Sequence, residues 1–269
     1  MPDIKIQCPA KINLTLKVTG RRADGFHDIE SIMQTISLYD YLNISAEPSD
    51  TFSIRLSGNS DEIPYDETNL VYKAAKLFFY NIHSFMDYEI NINIEKNIPI
   101  AAGLAGGSTD AAGTLYGLNK LLNEPLTKDQ LHKLCAELGS DLNVCLEGGT
   151  LLAKGRGEII EPVEYKEQTV SLIKPNNLGI SAKEAYTKFS NKLALGGGRR
   201  SDFVNDLEWA IIADYPQLQT IKKLYPKSVM SGSGSTYYIL GDTFNPISAY
   251  QIFNNLKTIP HGVREVLFY

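Results

Sequence analysis

The sequence of 269 residues predicts an α+β protein, in which strands and helices occur in groups along the chain. Two kinds of pattern support this fold class. Apolar and polar residues alternate over residues 88–95, as they do in a strand with one buried face. Elsewhere apolar residues recur at helical spacing, as at Leu131, Leu134, Cys135 and Leu138.

The first half of the chain carries the clearest elements. Thr127 and Gln130 provide a capping box for one helix, and Gly139 is placed to end it. The predicted elements of this half are strands over residues 12–18 and 88–95 and helices over residues 70–78 and 131–138.

The second half begins near Thr150 and continues the mixture of strands and helices. Residues 192–200 contain Gly196, Gly197 and Gly198, which predicts a mobile surface loop. The predicted elements are strands over residues 171–174, 237–240 and 263–268 and helices over residues 182–190, 203–213, 218–224 and 247–256.

Composition and charge exclude several classes of protein. With 26 basic and 31 acidic residues the net charge is -5, and no basic cluster indicates a nucleic-acid partner. No apolar run approaches the ~20 residues of a membrane span, and the N-terminus resembles no signal peptide. The three cysteines form no CxxC pair and the four histidines are scattered, so we expect no zinc site and a reducing, cytoplasmic location.

The most informative segment is the glycine-rich stretch of residues 98–112. A strand-like part leads into Gly103, Gly106 and Gly107, and the following Ser-Thr-Asp offers acceptors to cap a helix. Backbone N–H groups that converge at the start of a helix form a site suited to phosphate. A Cβ on any of these glycines would keep a triphosphate out of that site. The stretch lacks the lysine of a P-loop and the spacing of a dinucleotide fingerprint. A tight turn without a ligand is the alternative.

Three more segments occur in a fixed order with this loop, and together they resemble the GHMP family of small-molecule kinases. Those segments are residues 9–14, 139–143 and 230–236. Residues 22–31, 148–158 and 205–208 resemble the branch of the family that acts on 4-diphosphocytidyl-2-C-methyl-D-erythritol. The resemblance extends from about residue 6 to residue 238.

The resemblance implies two lobes with an active site between them. Residues 1–150 would form an N-terminal lobe like domain 2 of ribosomal protein S5, and residues 151–269 a C-terminal α+β lobe. It also implies transfer of the γ-phosphoryl group of ATP, with Mg²⁺, to the 2-hydroxyl of that small-molecule substrate in the non-mevalonate isoprenoid pathway.

The resemblance assigns Lys11 and Asp141 to catalysis. From the residues alone, Lys11 would be a solvated strand lysine and Asp141 a turn or cap residue. In the family, Asp141 would take the proton from the acceptor hydroxyl, while Lys11 would pair with it and stabilise the developing charge. Asn13 lies two residues beyond Lys11, so both side chains share one strand face.

The expected nucleotide site is centred on the glycine-rich stretch. Ser108 would face phosphate or Mg²⁺, or cap the helix, or do both, and Asn69 would lie near adenine or cap the helix that follows it. The expected ATP-binding residues are Asn69, Lys96, Pro99, Ala102, Gly103, Leu104, Ala105, Gly106, Gly107, Ser108 and Thr109.

The expected acceptor site includes a base-binding platform. By resemblance, Phe26 would stack on cytosine, His27 would read the polar edge of the base, and Tyr186 would enclose it from the other lobe. A core aromatic beside a surface histidine is the alternative for Phe26 and His27. The expected substrate-binding residues are Asn13, Phe26, His27, Asp141, Tyr186, Gly232, Ser233 and Gly234, and the last three would otherwise form a plain hairpin turn.

The chain departs from the family pattern at Ala105, Asn143, Ala182 and Ser235. Glycine is usual in place of Ala105, proline in place of Asn143 and Ser235, and a hydroxyl residue in place of Ala182. These departures leave open a non-catalytic ATP-binding sensor. A mevalonate-type or homoserine-type kinase of the same family is the nearer alternative, and a nucleic-acid module of S5-like fold is a further one.

Overall fold

The computed structural model describes residues 3–82, 87–198 and 203–267. Its strands are β1 (Asp3–Asn13), β2 (Lys17–Arg21), β3 (His27–Ser49), β4 (Ser53–Gly58), β5 (Asp87–Glu95), β6 (Thr150–Gly155), β7 (Ile159–Pro162), β8 (Thr169–Pro175), β9 (Val229–Met230), β10 (Tyr237–Leu240), β11 (Tyr250–Lys257) and β12 (Arg264–Glu265). Its helices are α1 (Leu70–Asn81), α2 (Gly106–Leu121), α3 (Lys128–Leu138), α4 (Leu142–Glu147), α5 (Ala182–Ala194), α6 (Asp206–Ile211) and α7 (Pro216–Leu224). No helix in these ranges is long and apolar enough to cross a membrane.

The larger sheet is built around the long strand β3. Its strand order is β12-β1-β3-β5-β4, and β2 and β6 also pair with β3, while β7 pairs with β6. Helices α1 to α3 pack on this sheet over a core that includes Ile6, Leu42, Phe78, Ile92 and Leu115. Since β6, β7 and β12 all belong to this sheet, the sheet continues past residue 150, and the predicted division into two lobes at that point stays a prediction.

A second sheet has the order β11-β8-β10-β9. It packs with α5, α6 and α7 around a separate core that includes Phe189, Trp209, Leu218 and Tyr237. A third group of buried residues, among them Ile12, Ile98 and Leu172, joins the two sheets beneath the glycine-rich stretch. The protein is therefore mixed α and β, as the sequence predicts.

Several predicted elements are confirmed. Strand β5 covers residues 88–95, and its apolar residues Ile90, Ile92 and Ile94 are all buried. Helix α1 covers residues 70–78, and α3 begins at the capping box of Thr127 and Gln130. These elements follow local periodicity and local capping, which tertiary contacts only reinforce.

The helix predicted over residues 247–256 is wrong, because residues 250–256 belong to strand β11. It pairs antiparallel with β8, and its register shifts between Phe253 and Leu256, where Asn255 has a left-handed backbone (φ 60°). This irregularity breaks the strict alternation of a strand, so the apolar positions imitate helical spacing.

Other boundaries also differ. The strand predicted over residues 12–18 is divided between β1 and β2, and the helix predicted over residues 203–213 is α6 followed by a 3₁₀ turn. Residues 192–194 of the predicted loop continue helix α5, and residues 199–200 lie outside the described residues. Of the strand predicted over residues 263–268, only residues 264–265 are a strand, and residue 268 lies outside the described residues.

Candidate active site

A cavity of about 880 Å³ lies between the larger sheet, the glycine-rich stretch, helix α5 and the turn after β9. It brings together many of the site residues that the sequence predicts. Those in its wall are Lys11, Asn13, Phe26, His27, Gly103, Ala105, Ser108, Asp141, Tyr186, Gly232 and Ser233. The other predicted site residues are not in its wall, and they are Asn69, Lys96, Pro99, Ala102, Leu104, Gly106, Gly107, Thr109 and Gly234.

Lys11 and Asp141 meet inside this cavity. The Lys11 ammonium lies 3.3 Å from an Asp141 carboxylate oxygen, and the lysine side chain is only 4% exposed. Strand β1 presents Lys11 and the start of α4 presents Asp141, whose carboxylate makes no capping bond to that helix. The solvated-lysine alternative is therefore wrong, and Asp141 keeps its carboxylate free of the helix.

Asn13 extends this polar group along the same face of β1. Its side-chain oxygen accepts a 2.7 Å hydrogen bond from the Lys11 ammonium, and its amide donates to the Ser31 hydroxyl at 2.8 Å. The Ser31 hydroxyl in turn donates to the Thr15 carbonyl. This chain of contacts fixes the lysine and the amide in one orientation before any ligand binds.

Helix α2 begins at Gly106, two residues before the predicted cap. Ala105 precedes it with a left-handed backbone (φ 60°), and no side chain caps the helix. The predicted capping role of Ser108 is therefore wrong, and Ser108 lies in the first turn and in the cavity wall. The first N–H groups of an α-helix have no carbonyl partner within the helix, so Gly106, Gly107 and Ser108 present donors at this end.

The glycines of the stretch are needed for different reasons. A Cβ on Gly103 would come within 2.1 Å of the Ser231 carbonyl oxygen, so the protein's own backbone requires that glycine. A Cβ on Gly106 would lie 3.1 Å from the Lys96 ammonium and 3.2 Å from an Ile98 methyl group. A Cβ on Gly107 would meet nothing within 4 Å. Of these three glycines only Gly107 has open space at the position of a Cβ, and the expectation that their side chains would hold a triphosphate away stays a prediction.

Lys96 lies behind the glycine-rich stretch between two carboxylates. Its ammonium bonds to Asp40 and, at 2.8 Å, to Asp110, and its side chain is 6% exposed. Asp40 also accepts backbone N–H bonds from Asn97 and Ile98, whereas one Asp110 oxygen is buried without a partner. Asp110 is therefore an ion-pair residue and not a helix cap.

The pKa shifts in this cluster follow from the unequal number of hydrogen-bond donors that reach Asp40 and Asp110. Burial acts to lower the pKa of Lys96, but Asp110 and Asp40 outweigh it, so the lysine pKa is raised. Burial raises the pKa of Asp110 to about 7, with Lys96 opposing the shift and Asp40 adding to it. One ammonium serves two carboxylates, and the raised pKa of Asp110, which has fewer donors, favours its protonation.

Asn69 caps helix α1, which is the alternative role that its sequence context allows. Its side-chain oxygen accepts from the Val71 N–H at 2.9 Å, and its amide donates to the Pro64 carbonyl at 2.6 Å. Ala102 and Leu104 are buried, and their carbonyls accept from the backbone N–H groups of Thr236 at 3.2 Å and Lys11 at 3.1 Å, so their contact with ATP stays a prediction.

The predicted base platform lies at the cavity rim. Phe26 is 53% exposed, which shows that the core alternative for this ring is wrong. His27 stacks on Tyr186 with ring centroids 5.0 Å apart, and its Nε2 is 2.8 Å from the Ser190 hydroxyl. Burial, aided by the charge of Arg21, lowers the pKa of His27 and favours the neutral ring.

Arg156 is a cavity residue to which sequence reasoning assigned no role. It lies in the Gly-Arg-Gly turn between β6 and β7, and its guanidinium is 5.2 Å from the Phe26 ring centroid. The Ala136 carbonyl accepts a 3.1 Å bond from it, which fixes its position. The signal was an arginine between two turn glycines inside a segment that already resembled the family.

The turn after β9 contacts the glycine-rich stretch. Ser231 donates its hydroxyl to the Gly103 carbonyl at 2.9 Å, and the Lys11 ammonium is 3.3 Å from the same carbonyl. Gly232 and Ser233 lie in the cavity wall beside this junction. The turn connects β9 to β10, as the hairpin alternative requires, so it is both a hairpin connection and part of the wall.

Two of the four departures from the family pattern, Asn143 and Ser235, are accommodated by hydrogen bonds. Asn143 is buried, contacts His132 Nδ1 at 3.1 Å and donates to the Glu158 carbonyl at 2.8 Å. Ser235 is buried and donates to the Leu178 carbonyl at 2.6 Å. Ala182 begins helix α5 in the cavity wall. Neither Asn143 nor Ser235 leaves its polar group unpaired.

Comparisons with known proteins show which family this chain resembles. Residues 69–149 match the profile of the GHMP kinases N terminal domain. Two proteins named 4-diphosphocytidyl-2-C-methyl-D-erythritol kinase, from Bacillus cereus (strain B4264) and Bacillus mycoides (strain KBAB4), are each 38% identical over 272 residues, which cover 94% of this chain and 92% of the relative.

Solved structures show the same architecture. A crystal structure of 4-(cytidine 5'-diphospho)-2C-methyl-D-erythritol kinase is similar with a TM-score of 0.73 and 26% identity, covering 95% of this chain and 99% of that one. Homoserine kinase from Cytophaga hutchinsonii has a TM-score of 0.70 at 16% identity, covering 99% and 98%, and shows the shared fold alone.

Proposed function

The chain belongs to the 4-diphosphocytidyl-2-C-methyl-D-erythritol kinase family, a branch of the GHMP kinases, and on that premise we propose how its residues perform the reaction. The protein is an ATP-dependent kinase that phosphorylates 4-diphosphocytidyl-2-C-methyl-D-erythritol in isoprenoid precursor synthesis. We propose that the acceptor is the 2-hydroxyl. The observation that carries the proposal is the Lys11–Asp141 ion pair inside a cavity that also holds the exposed Phe26 ring.

Asp141 acts as the general base in this proposal. Its carboxylate takes the proton of the acceptor hydroxyl as that oxygen attacks the γ-phosphorus of ATP, while the bond from the γ-phosphorus to the β,γ-bridging oxygen breaks and ADP leaves. Lys11 lies 3.3 Å away and stabilises the negative charge that develops. Asn13, bonded to Lys11 at 2.7 Å, holds the lysine and offers its amide edge to the acceptor.

The start of helix α2 binds the triphosphate in this proposal. The N–H groups of Gly106, Gly107 and Ser108 provide donors at the positive end of the helix. The open space at Gly107 supports the fit, because a phosphate can approach the backbone there. Ser108 would hold Mg²⁺ through its hydroxyl, and the ion would neutralise charge on the phosphates.

The cytosine platform gives the site its substrate preference in this proposal. Phe26 supplies an exposed ring, and the Arg156 guanidinium lies over that ring at 5.2 Å from its centroid. Tyr186 is in the wall of the same cavity on the other side, and His27 stacks on it. Because His27 Nε2 contacts the Ser190 hydroxyl at 2.8 Å, Nδ1 is the nitrogen left to read the base edge, and in the neutral ring, which the lowered pKa favours, it donates or accepts according to the tautomer.

We also propose that the two lobes cover residues 1–150 and 151–269, and that the protein works in the cytoplasm without a nucleic-acid partner. The three cysteines are free thiols buried in the interior, which supports a reducing compartment. The net charge of -5 supports the absence of a nucleic-acid partner.

One assay tests the function directly. Purified protein is incubated with ATP, Mg²⁺ and 4-diphosphocytidyl-2-C-methyl-D-erythritol, and ADP release is measured against mevalonate and homoserine as alternative acceptors. We expect ADP release with the cytidyl substrate and little with the other two, which carry no base to stack. Preference for mevalonate or homoserine would contradict the substrate, and nucleotide binding without turnover on any acceptor would favour the sensor.

A further inference from the structure

The buried Asn205 connects the turn after β9 to the rest of the site, and nothing in the proposed chemistry uses it. Its side chain is fully buried at the start of helix α6. We propose that Asn205 is a positioning residue, which holds the turn of residues 230–234 in the geometry that places Gly232 and Ser233 beside Lys11. The inference rests on the proposed assignment of that turn to the substrate site.

The amide of Asn205 donates two hydrogen bonds to the turn. One goes to the Met230 carbonyl at 2.7 Å and the other to the Gly232 carbonyl at 2.9 Å, so the two bonds bracket Ser231. Both acceptors are backbone atoms of the turn itself. A single planar amide therefore fixes the orientation of two peptide groups on either side of the residue that contacts Gly103.

The turn is close enough to the catalytic pair for this orientation to matter. A Cβ built on Gly232 would lie 3.3 Å from the Lys11 ammonium and 3.0 Å from the Gly103 carbonyl oxygen. The same Gly103 carbonyl accepts from Lys11 and Ser231. Rotation of the Gly232 peptide would thus disturb the group of atoms that holds Lys11 beside Asp141.

The other side of Asn205 is attached to rigid structure. Its side-chain oxygen accepts from the Leu207 N–H at 2.9 Å and from the Glu208 N–H at 3.4 Å, which caps helix α6. The backbone on both sides of Asn205 pairs with Leu16. The Leu16 N–H donates to the Val204 carbonyl at 2.9 Å, and the Asp206 N–H donates to the Leu16 carbonyl at 2.8 Å. Asn205 therefore links the turn to a helix and to the segment that follows strand β1.

Replacement by aspartate separates the two functions of this side chain. Asn205→Asp keeps an oxygen to cap α6, since Asp and Asn cap helices about equally, but it loses both donors and places charge against two carbonyls. Asn205→Ser also retains a capping oxygen and adds no charge. Asn119→Asp is the matched control, because Asn119 is also buried but lies outside the cavity wall. Its amide donates to the Leu126 carbonyl at 3.0 Å, and its side-chain oxygen accepts from the Leu126 N–H.

The measurements are kcat and KM for both substrates, melting temperature, and hydrogen exchange of the amides in residues 230–236. We expect kcat to fall by about 10²-fold in Asn205→Asp and less in Asn205→Ser, because misplacing a positioning group by about 1 Å costs this much. KM for ATP should change little, and amide exchange in the turn should increase in both variants. Asn119→Asp should lower the melting temperature without changing kcat or exchange in the turn.

Two results would overturn the inference. The first is kcat per folded molecule within twofold of the parent protein in both Asn205 variants, with unchanged exchange in the turn. The second is failure of both variants to fold, which would make Asn205 a folding determinant. If the parent protein does not phosphorylate the cytidyl substrate, the proposed function fails, and the exchange measurement alone decides whether Asn205 holds the turn.

Discussion

Replacement of Phe26 by alanine separates substrate recognition from folding. Phe26 is 53% exposed at the cavity rim, and the Arg156 guanidinium lies over its ring at 5.2 Å from the centroid. The ring is not part of any buried cluster in the described residues. We therefore expect Phe26→Ala to raise the KM for the cytidyl substrate and to leave the KM for ATP nearly unchanged.

The magnitudes follow from this environment. A stack of one aromatic ring on one base is worth about 1–3 kcal/mol by alanine substitution, which corresponds to roughly 5- to 150-fold in KM if KM reports binding. The cation–π contact with Arg156 is exposed and contributes about 0.5–1 kcal/mol to stability. A buried phenylalanine would cost about 3–5 kcal/mol instead, so the fall in melting temperature should be small.

The assay measures both Michaelis constants and the melting temperature for Phe26→Ala, Phe26→Leu and Phe26→Tyr. The tyrosine variant should be close to neutral because it keeps the ring face, and the leucine variant should fall between alanine and the parent. Phe52→Ala is the control, since Phe52 is 41% exposed, packs edge-on against Phe79 at 5.5 Å and lies outside the cavity wall. It should change neither Michaelis constant.

The reasoning would be refuted by equal effects of Phe26→Ala on ATP and on the cytidyl substrate, together with a large fall in melting temperature. That result would assign Phe26 to folding. An unchanged KM for both substrates in a stable variant would remove the ring from the base site and leave Tyr186 and His27 as the remaining candidates.

Three further predictions test other parts of the site. Asp141→Asn should lower turnover by roughly 10²–10⁴-fold with little change in ATP affinity, and near-parental turnover would remove it as the general base. Gly107→Val should leave the melting temperature unchanged, since a Cβ there meets nothing within 4 Å. It should weaken the binding of a non-hydrolysable ATP analogue by about tenfold or more, measured by calorimetry. An unchanged affinity would place the phosphates elsewhere. The pKa of Asp110 is raised to about 7 from an ordinary 3.8, so between these pH values the native state holds a proton that the unfolded state releases. The contribution of Asp110 to the free energy of unfolding therefore falls as pH rises from about 4 to 7. In denaturant titrations, the free energy of unfolding of Asp110→Asn should therefore fall below that of the parent protein by the largest amount near pH 4 and by the smallest amount at pH 8. A difference that does not depend on pH would contradict the assignment.

Features that depend on neighbouring residues were predictable. The alternation in β5, the periodicity of α1 and the capping box of α3 all involve hydrogen bonds or side-chain faces within a few residues. Strand β11 was not predictable in this way, because the bulge at Asn255 disturbs its alternation and only pairing with β8 holds it as a strand.

The start of α2 shows the same limit within the site itself. Local rules favour Ser108 as the cap, but the helix begins at Gly106 because Ala105 turns the chain there with a left-handed backbone. Asp110, which local rules offer as a further cap, instead bonds to the buried Lys96. An ion pair in the interior holds this carboxylate in place, and no nearby sequence pattern encodes it.

By itself the sequence determined the fold class, the ordered motifs that resemble a kinase family and the chemical groups available for phosphoryl transfer. Only the tertiary structure decided which of those groups meet. Lys11 and Asp141 are far apart in the chain, yet they lie 3.3 Å apart because β1 and α4 pack together. Arg156 reaches Phe26 through the β6–β7 turn, and Asn205 reaches Gly232 from another element. Such contacts arise when loops close and side chains lose water together, so they depend on the whole packed chain and not on any local pattern.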